Sequence, residues 1–245
     1  MTNTKKIWYL LAALLIITAT TLALIGGRKP KTEVVIGEPY QAINGAKTSS
    51  YEPVGETLSL AADDNIIGNQ TAPLTIFVYE DYASPYSAEL ATTLKRIISE
   101  SSDKLAVVIR PFVTVGSNIS REGALALMCA ADADKFAEMR DLILAAAQEG
   151  SLLAGGFGPY ATQLGLDETA FNACLTNEEK SVKLEAVIAE ADKNLVLGAP
   201  TIFVGNEMII GARPYSDFVD SNDDAIEGLR AVIDRQLNQL PAETK

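Results

Sequence analysis

The distribution of apolar and polar positions divides this chain into three parts. Residues 7–25 form an apolar run without a charged side chain. Gly, Pro, Thr, Ser and Glu then dominate up to about residue 64 without sustained periodicity, which is typical of a tether. From residue 65 onward, short apolar runs and helical periodicity alternate. The pattern predicts an N-terminal segment over 1–27, a flexible linker over 28–64 and an α/β domain over 65–245.

The predicted domain begins with a strand–helix–strand unit. Apolar runs predict strands at 74–79 and 105–112, and the periodicity between them predicts a helix over 85–99. Pro85 suits the first turn of that helix, where its missing N–H is no loss. Because a connection of this length crosses over the sheet, we expect the two strands to run parallel.

A block of helices is predicted next, followed by a C-terminal group of elements. Helical periodicity extends over about 120–195, with Asp167 and Asn177 as N-caps. The later elements are two strands and a last helix with a break near 221–224: 200–204, 208–210 and 216–240.

The apolar run at 7–25 predicts a transmembrane helix. As a helix it would be about 28 Å long, close to the thickness of one bilayer core. A cleaved signal peptide usually has a shorter apolar region and an Ala-x-Ala-like site, and no clean site precedes Gly26. Basic residues flank both ends of the run, so charge leaves its orientation open.

Composition narrows the possible chemistry. The formal net charge is −12, which argues against nucleic acid as a partner because such a surface repels phosphate backbones. The sequence contains no histidine. That excludes Ser-His-Asp and Cys-His catalysis and removes the commonest metal ligand, so no metal site is expected.

The four residues Ser84-Pro85-Tyr86-Ser87 stand at the start of the predicted helix. A thiol in the place of Ser84 would be stabilised as a thiolate by the helix N-terminus. A serine hydroxyl stays protonated and cannot form a disulfide. With no histidine, and no lysine between Glu80 and Glu89, nothing nearby in sequence would activate Ser84 as a nucleophile. We interpret Glu80 and Asp81 as a solvated strand end.

Four stretches together resemble the DsbA-like thioredoxin-fold family, in its membrane-anchored or exported bacterial branch: 66–76, 80–87, 198–204 and 211–218. The resemblance implies a thioredoxin fold with an inserted helical subdomain over about 120–195. It also implies that the Ala199–Pro200 peptide bond is cis, although Pro200 alone would suggest an ordinary strand-initiating proline. Ser84 and Ser87 occupy the catalytic positions that the family fills with cysteine, so they are expected to be inactive.

The departure from the family at Ser84 and Ser87 implies a function without disulfide exchange. The family reaction needs two thiols, one to attack and one to resolve the mixed disulfide. A peptide groove is expected around five residues: Tyr82, Pro85, Tyr86, Ala199 and Pro200. The hypothesis is a redox-inactive module, peptide-binding or chaperone-like, that takes extended peptide or unfolded protein segments. It would be held at the cell membrane by a single span, with the C-terminal domain on the extracytoplasmic (periplasmic or extracellular) face.

Two alternatives stay open. The chain resembles, first, a thiol–disulfide oxidoreductase whose active-site cysteines were mutated to serine. Second, the loop also resembles that of kappa-class glutathione transferases and related isomerases. In that case Ser84 would donate a hydrogen bond to the sulfur of glutathione, and Pro200 would mark its peptide site; otherwise no cofactor is expected.

The two cysteines of the chain, Cys129 and Cys174, both fall in the predicted helical subdomain. An even pair in an exported domain predicts a structural disulfide. The alternative is two buried free thiols that pack as small hydrophobic side chains.

Overall fold

The computed structural model describes residues 58–101 and 103–240. The predicted transmembrane run 7–25 and most of the predicted linker lie outside the described residues. None of the helices in the part of the chain that is described has the length and apolar character needed to cross a membrane.

The centre of the fold is a five-stranded mixed sheet in the order β1-β3-β2-β4-β5. Its strands are β1 (Asn65–Gly68), β2 (Leu74–Glu80), β3 (Leu105–Pro111), β4 (Thr201–Val204) and β5 (Glu207–Ile210). Strands β2 and β3 are parallel, as predicted, and the other neighbouring pairs are antiparallel. The three interior strands, β3, β2 and β4, are almost entirely buried.

Seven helices accompany this sheet in the described residues. They are α1 (Pro85–Glu100), α2 (Asn118–Ala131), α3 (Phe136–Glu149), α4 (Gly158–Gln163), α5 (Glu168–Leu175), α6 (Glu178–Lys193) and α7 (Leu229–Gln239). Helices α2 to α6 lie between β3 and β4 in sequence and form the inserted helical subdomain. The predicted N-caps are confirmed: Asp167 accepts the N–H of Ala170, and Asn177 accepts the N–H groups of Glu179 and Lys180.

The sheet has an apolar core on each face. Alternation along β2 sends Ile76 and Val78 into the larger core and Phe77 and Tyr79 into the smaller one. Helix α6 and the residues after it cover the smaller core. A mixed sheet buried on both faces explains why its central strands are nearly continuous apolar runs.

The segment just before β1 is attached to the sheet. The Arg110 guanidinium of β3 donates to the carbonyl of Ser59 and to the carboxylate of Asp64, both at 2.7 Å, and to Glu190 of α6 at 2.5 Å. The side chains of Arg110 and Asp64 are each 6% exposed. Arg110 therefore holds two residues of the predicted linker, Ser59 and Asp64, against β3.

The prediction of a last helix from Ser216 is wrong, because that helix begins at Leu229. Residues before it form a short hairpin of β6 (Phe218–Val219) and β7 (Ala225–Ile226). Asp220 Oδ1 accepts the N–H groups of Asn222 and Asp224, which closes the turn between the strands. This side-chain hydrogen bonding competes with helix formation and produces the turn at the position of the predicted break.

Candidate functional site

The Ser-Pro-Tyr-Ser loop and the Ala199–Pro200 peptide bond meet at one end of the sheet. The loop follows the C-terminal end of β2 and leads into α1. Strand β4 runs antiparallel to β2 with Thr201 opposite Tyr79, so Pro200 lies beside the residue that ends β2. The Ala199–Pro200 peptide bond is cis. The structure thus brings together two sequence stretches that lie more than a hundred residues apart.

Ser84 occupies the N-cap position of α1. Its backbone is extended, with φ −96° and ψ 124°, and its side chain accepts no hydrogen bond from the described first turn of the helix. Its N–H donates to the carbonyl of Asp81 at 3.0 Å, and its carbonyl accepts the N–H of Ala88 at 3.3 Å. The half-buried Ser84 hydroxyl is therefore not used to cap α1, although it stands at the positive end of the helix.

Ser87 has a different role from Ser84. It is fully buried, and its Oγ accepts the backbone N–H of Asp81 at 3.1 Å. The hydroxyl thereby satisfies a buried donor at the start of the loop, which would otherwise carry a desolvation penalty. Ser87 supports the loop from within the protein.

The interpretation of Glu80 and Asp81 as a solvated strand end is wrong. Glu80 is 0% exposed and Asp81 is 4% exposed. Arg140 of α3 donates two hydrogen bonds to the Glu80 carboxylate, at 2.7 and 2.5 Å. The helical subdomain covers this end of the sheet and supplies the countercharge, which is why a buried carboxylate is tolerated here.

The Asp81 carboxylate is held by neutral donors. Its Oδ1 accepts the N–H of Ala83 at 2.9 Å, and its Oδ2 accepts the hydroxyl of Thr114 at 2.5 Å. The Thr114 N–H in turn donates to Ser120 Oγ at 3.0 Å. Asp81 therefore connects the Ser-Pro-Tyr-Ser loop to the segment that follows β3.

Sequence reasoning missed Arg140 altogether. The residue lies in the predicted helix with Met139 and Ile143, both buried, and is itself 5% exposed. A cation within an apolar helix face was the available signal that a buried anion lies opposite. Burial alone would lower the pKa of Arg140, but the charge and hydrogen bonds of Glu80 outweigh it, and the pKa is raised.

The two tyrosines of the loop lie in different environments. Tyr82 is 1% exposed, whereas Tyr86 is 63% exposed. Burial, reinforced by the charge of Glu80, raises the pKa of Tyr82 well above its ordinary value. The prediction that Tyr82 offers its ring to a groove must therefore be corrected, because its side chain packs in the core beneath the loop. Tyr86 and the exposed Pro85 are at the surface.

Three exposed apolar side chains belong to the segments that meet at this end of the sheet, and we call them the apolar rim: Tyr86, Val115 and Leu197. They are 63%, 98% and 86% exposed. Tyr86 is in the first turn of α1, Val115 follows the residue that binds Asp81, and Leu197 precedes Pro200. Because β2 and β3 end where β4 begins, all three belong to the same end of the sheet.

Residues 61–227 match the family model described as Thioredoxin. The chain belongs to this thioredoxin family. Solved structures with the same fold include the catalytic domain of Proteus mirabilis ScsC, with a TM-score of 0.59, 20% identity, and coverage of 74% of this chain and 93% of that one. Wolbachia pipientis alpha-DsbA1 has a TM-score of 0.59 and 15% identity, over 76% and 97% of the two chains. The DsbA-like thioredoxin resemblance is therefore confirmed at the level of the fold.

The thioredoxin domain also matches part of two curated proteins. It is 28% identical over 141 residues to the Na(+)/H(+) antiporter NhaA 1 of Salinispora arenicola, which covers 58% of this chain and 21% of that protein. The corresponding match to NhaA 3 of Salinispora tropica is 28% over 153 residues, 62% of this chain and 23% of that protein. The chain thus spans less than a quarter of the length of these relatives.

The two cysteines of the thioredoxin domain lie in its helical subdomain. Cys129 of α2 and Cys174 of α5 form a disulfide with a Cα–Cα distance of 5.9 Å. Neither residue belongs to the Ser-Pro-Tyr-Ser loop. Within residues 58–101 and 103–240, no group of three or more His, Cys, Asp or Glu side chains is arranged to hold a metal ion.

Proposed function

We propose that this thioredoxin domain binds extended peptide or unfolded protein segments and that its Ser-Pro-Tyr-Ser loop does not exchange disulfides. The observation that carries the proposal is the placement of Ser84 and Ser87. They stand at the N-cap and in the first turn of α1, at the end of the sheet that carries the cis Pro200. The family resemblance identifies these two positions as those of the thiols. The chain keeps the framework of the family site but has hydroxyls where the reaction needs sulfur.

The absence of exchange follows from the chemistry of the two serines. Disulfide exchange requires a thiolate that attacks one sulfur of a disulfide and a second thiol that resolves the mixed disulfide. The Ser84 hydroxyl stays protonated at neutral pH, and its oxygen forms no stable bond to sulfur. Ser87 is buried, and its oxygen already accepts the N–H of Asp81.

Peptide binding is supported by a free backbone edge beside the loop. Among the described residues, neither the N–H nor the carbonyl of Ala199 has a hydrogen-bond partner, whereas the carbonyl of Pro200 accepts the N–H of Gly211 at 2.8 Å. An extended peptide can pair with such a segment through main-chain hydrogen bonds, and apolar pockets for its side chains add specificity. The apolar rim supplies exposed apolar contacts next to this backbone.

We further propose that the domain is held at the membrane by the apolar run 7–25 and faces the extracytoplasmic side. The length of the run and the lack of charge within it support a single span. The resemblance to the exported branch of the family supports the orientation. Labelling an introduced surface cysteine with a membrane-impermeant maleimide in intact cells would test this, since a cytoplasmic domain would stay unlabelled.

The test of the loop is a disulfide-exchange assay on the 245-residue chain and its Ser84→Cys/Ser87→Cys variant. We expect the unaltered loop to be inert and the double variant to turn over. The matched control is Ser84→Cys alone, which should accumulate a mixed disulfide without turnover because no resolving thiol is present. Repeating the assay on all three proteins in a Cys129→Ala/Cys174→Ala background removes any exchange at the Cys129–Cys174 pair. Turnover by the unaltered loop in this background would overturn the proposal.

A further inference from the structure

The disulfide of the helical subdomain is unevenly exposed. Cys129 is buried at 6% exposure, whereas Cys174 is half-buried. Cys174 lines an open cleft of about 460 Å³ between the end of α5 and the start of α6. A small molecule or a protruding side chain can therefore approach the disulfide from the side of Cys174.

Charged side chains of both signs line the same cleft. Lys180 and Lys183 are there with Cys174, and so are Asp132 and Glu179. The Nζ of Lys180 donates to the carbonyl of Met128, the residue before Cys129, at 3.4 Å and forms an ion pair with Asp132 at 2.5 Å. The contact with Met128 holds the ammonium of Lys180 beside the backbone that leads into Cys129. Its positive charge, partly offset by Asp132, favours the thiolate form of a nearby cysteine.

We propose that the Cys129–Cys174 disulfide is a thiol-exchange site that a dithiol reductant attacks at Cys174 through this cleft. One thiolate of the reductant forms a bond to Cys174 Sγ, and the bond between the two cysteines breaks, so that Cys129 leaves as a thiolate. The second thiol of the reductant then attacks its own sulfur in the mixed disulfide and releases Cys174 as a thiolate. The protein disulfide gains the two electrons that the dithiol loses. The two protons of the dithiol pass to solvent or to the new thiolates.

Exchange at this pair would change how α5 is held. Helix α5 has eight residues, of which Phe171 is buried, and the disulfide ties it to α2. Once the disulfide is reduced, α5 is attached mainly through Phe171 and its neighbouring helices. The redox state of the pair would therefore control the order of this part of the helical subdomain, independently of peptide binding at the loop.

The first test uses the unaltered 245-residue chain under native conditions. The chain is treated with dithiothreitol, or with reduced thioredoxin as a dithiol protein, and free thiols are counted after alkylation by mass spectrometry. We expect reduction at a rate proportional to dithiothreitol concentration and insensitive to low urea. Reduction by thioredoxin as well would identify a dithiol protein as a competent partner, and reduction by dithiothreitol alone would assign the cleft to small dithiols. A rate that rises steeply with urea, or no reduction, would overturn the proposal, because attack would then require unfolding.

The second test asks which sulfur is open to attack. Cys129→Ser leaves the Cys174 thiol, and Cys174→Ser leaves the Cys129 thiol. We expect the Cys174 thiol to react with an aromatic disulfide reagent about tenfold faster than the Cys129 thiol. Adding Lys180→Gln should slow the reaction of Cys174 about threefold. The control Lys95→Gln, at a side chain of α1 that is 77% exposed, should not slow it. Equal rates for the two cysteines would overturn the proposal, and an equal effect of the two lysine substitutions would overturn the part assigned to Lys180.

Discussion

Arg140 donates two hydrogen bonds to the carboxylate of Glu80, at 2.7 and 2.5 Å, across 60 positions of sequence. Both side chains are excluded from solvent, at 6% and 0% exposure. Glu80 ends the strand that leads into the Ser-Pro-Tyr-Ser loop, and Arg140 belongs to the helical subdomain. The pair therefore fixes the subdomain against the end of the sheet that carries the candidate site.

Removing one partner of this pair should be strongly destabilising. We expect Arg140→Met to lower the free energy of unfolding by about 3–5 kcal/mol, because Glu80 would be left buried without its countercharge. Glu80→Met/Arg140→Met should recover most of that loss, since neither buried charge remains. The measurement is urea unfolding followed by circular dichroism.

The control for this pair is the exposed ion pair of Lys95 and Asp141, whose side chains are 77% and 56% exposed. Lys95→Met should cost no more than about 1 kcal/mol. A double variant at Glu80 and Arg140 that is as unstable as Arg140→Met alone would contradict the role given to the buried charge.

Stability should fall at high pH because of Tyr82. Burial raises its folded-state pKa well above the ordinary value of 10.0, so the folded protein keeps a proton that the unfolded chain loses. This contribution is fully present below about pH 10 and is lost as the pH rises toward the folded-state pKa. Each such proton changes the free energy of unfolding by about 1.4 kcal/mol per pH unit.

Replacing Tyr82 with Phe should flatten that dependence. Unfolding curves between pH 9 and 11 would show a shallower loss of stability for Tyr82→Phe than for the unaltered chain. Tyr86→Phe is the matched control, because Tyr86 is 63% exposed in the same loop. The same pH dependence in both variants would show that Tyr82 is not responsible.

Asp134 offers a simple test of local backbone strain. It follows α2 with φ 56°, in the left-handed region, and the next residue, Lys135, donates its N–H to the carbonyl of Ala130 at 2.8 Å. Glycine is preferred at such a position. We expect Asp134→Gly to raise the free energy of unfolding by up to about 1 kcal/mol and Asp134→Ala to lower it. The opposite order in thermal or urea unfolding would contradict this account.

The sequence predicted those parts of the fold whose signals are local. Strand β2 is a nearly continuous apolar run, and Asp167 and Asn177 are N-caps that act within three residues, so these elements were predicted correctly. The start of α7 was not, because the side-chain hydrogen bonds of Asp220 compete with the helical pattern. Such competition is decided by tertiary structure as well as by periodicity.

The candidate site was predictable in outline only. The residues of the loop and Pro200 could be named from the sequence because they carry the family resemblance. The burial of Glu80, Asp81 and Tyr82 could not be predicted from the sequence, because it depends on how the helical subdomain covers the end of the sheet. Arg140, which neutralises Glu80, comes from a helix whose docking no local pattern shows.

The most direct test of the proposed function is peptide binding at the apolar rim. A fluorescein-labelled extended peptide of apolar residues, without cysteine, would be titrated with the 245-residue chain and followed by fluorescence anisotropy. Leu197→Asp places a charge beside Ala199, and Val182→Asp places one on α6 at a residue that is also exposed, at 63%. Helix α6 leads toward Leu197 at its C-terminal end, so Val182, near its start, lies away from the rim.

We predict saturable binding by the unaltered chain, unchanged affinity for Val182→Asp and a loss of about tenfold, or 1.4 kcal/mol, for Leu197→Asp. Because the peptide lacks sulfur, such binding would not depend on disulfide exchange. No saturable binding by the unaltered chain, or equal affinities for the two variants, would contradict the account.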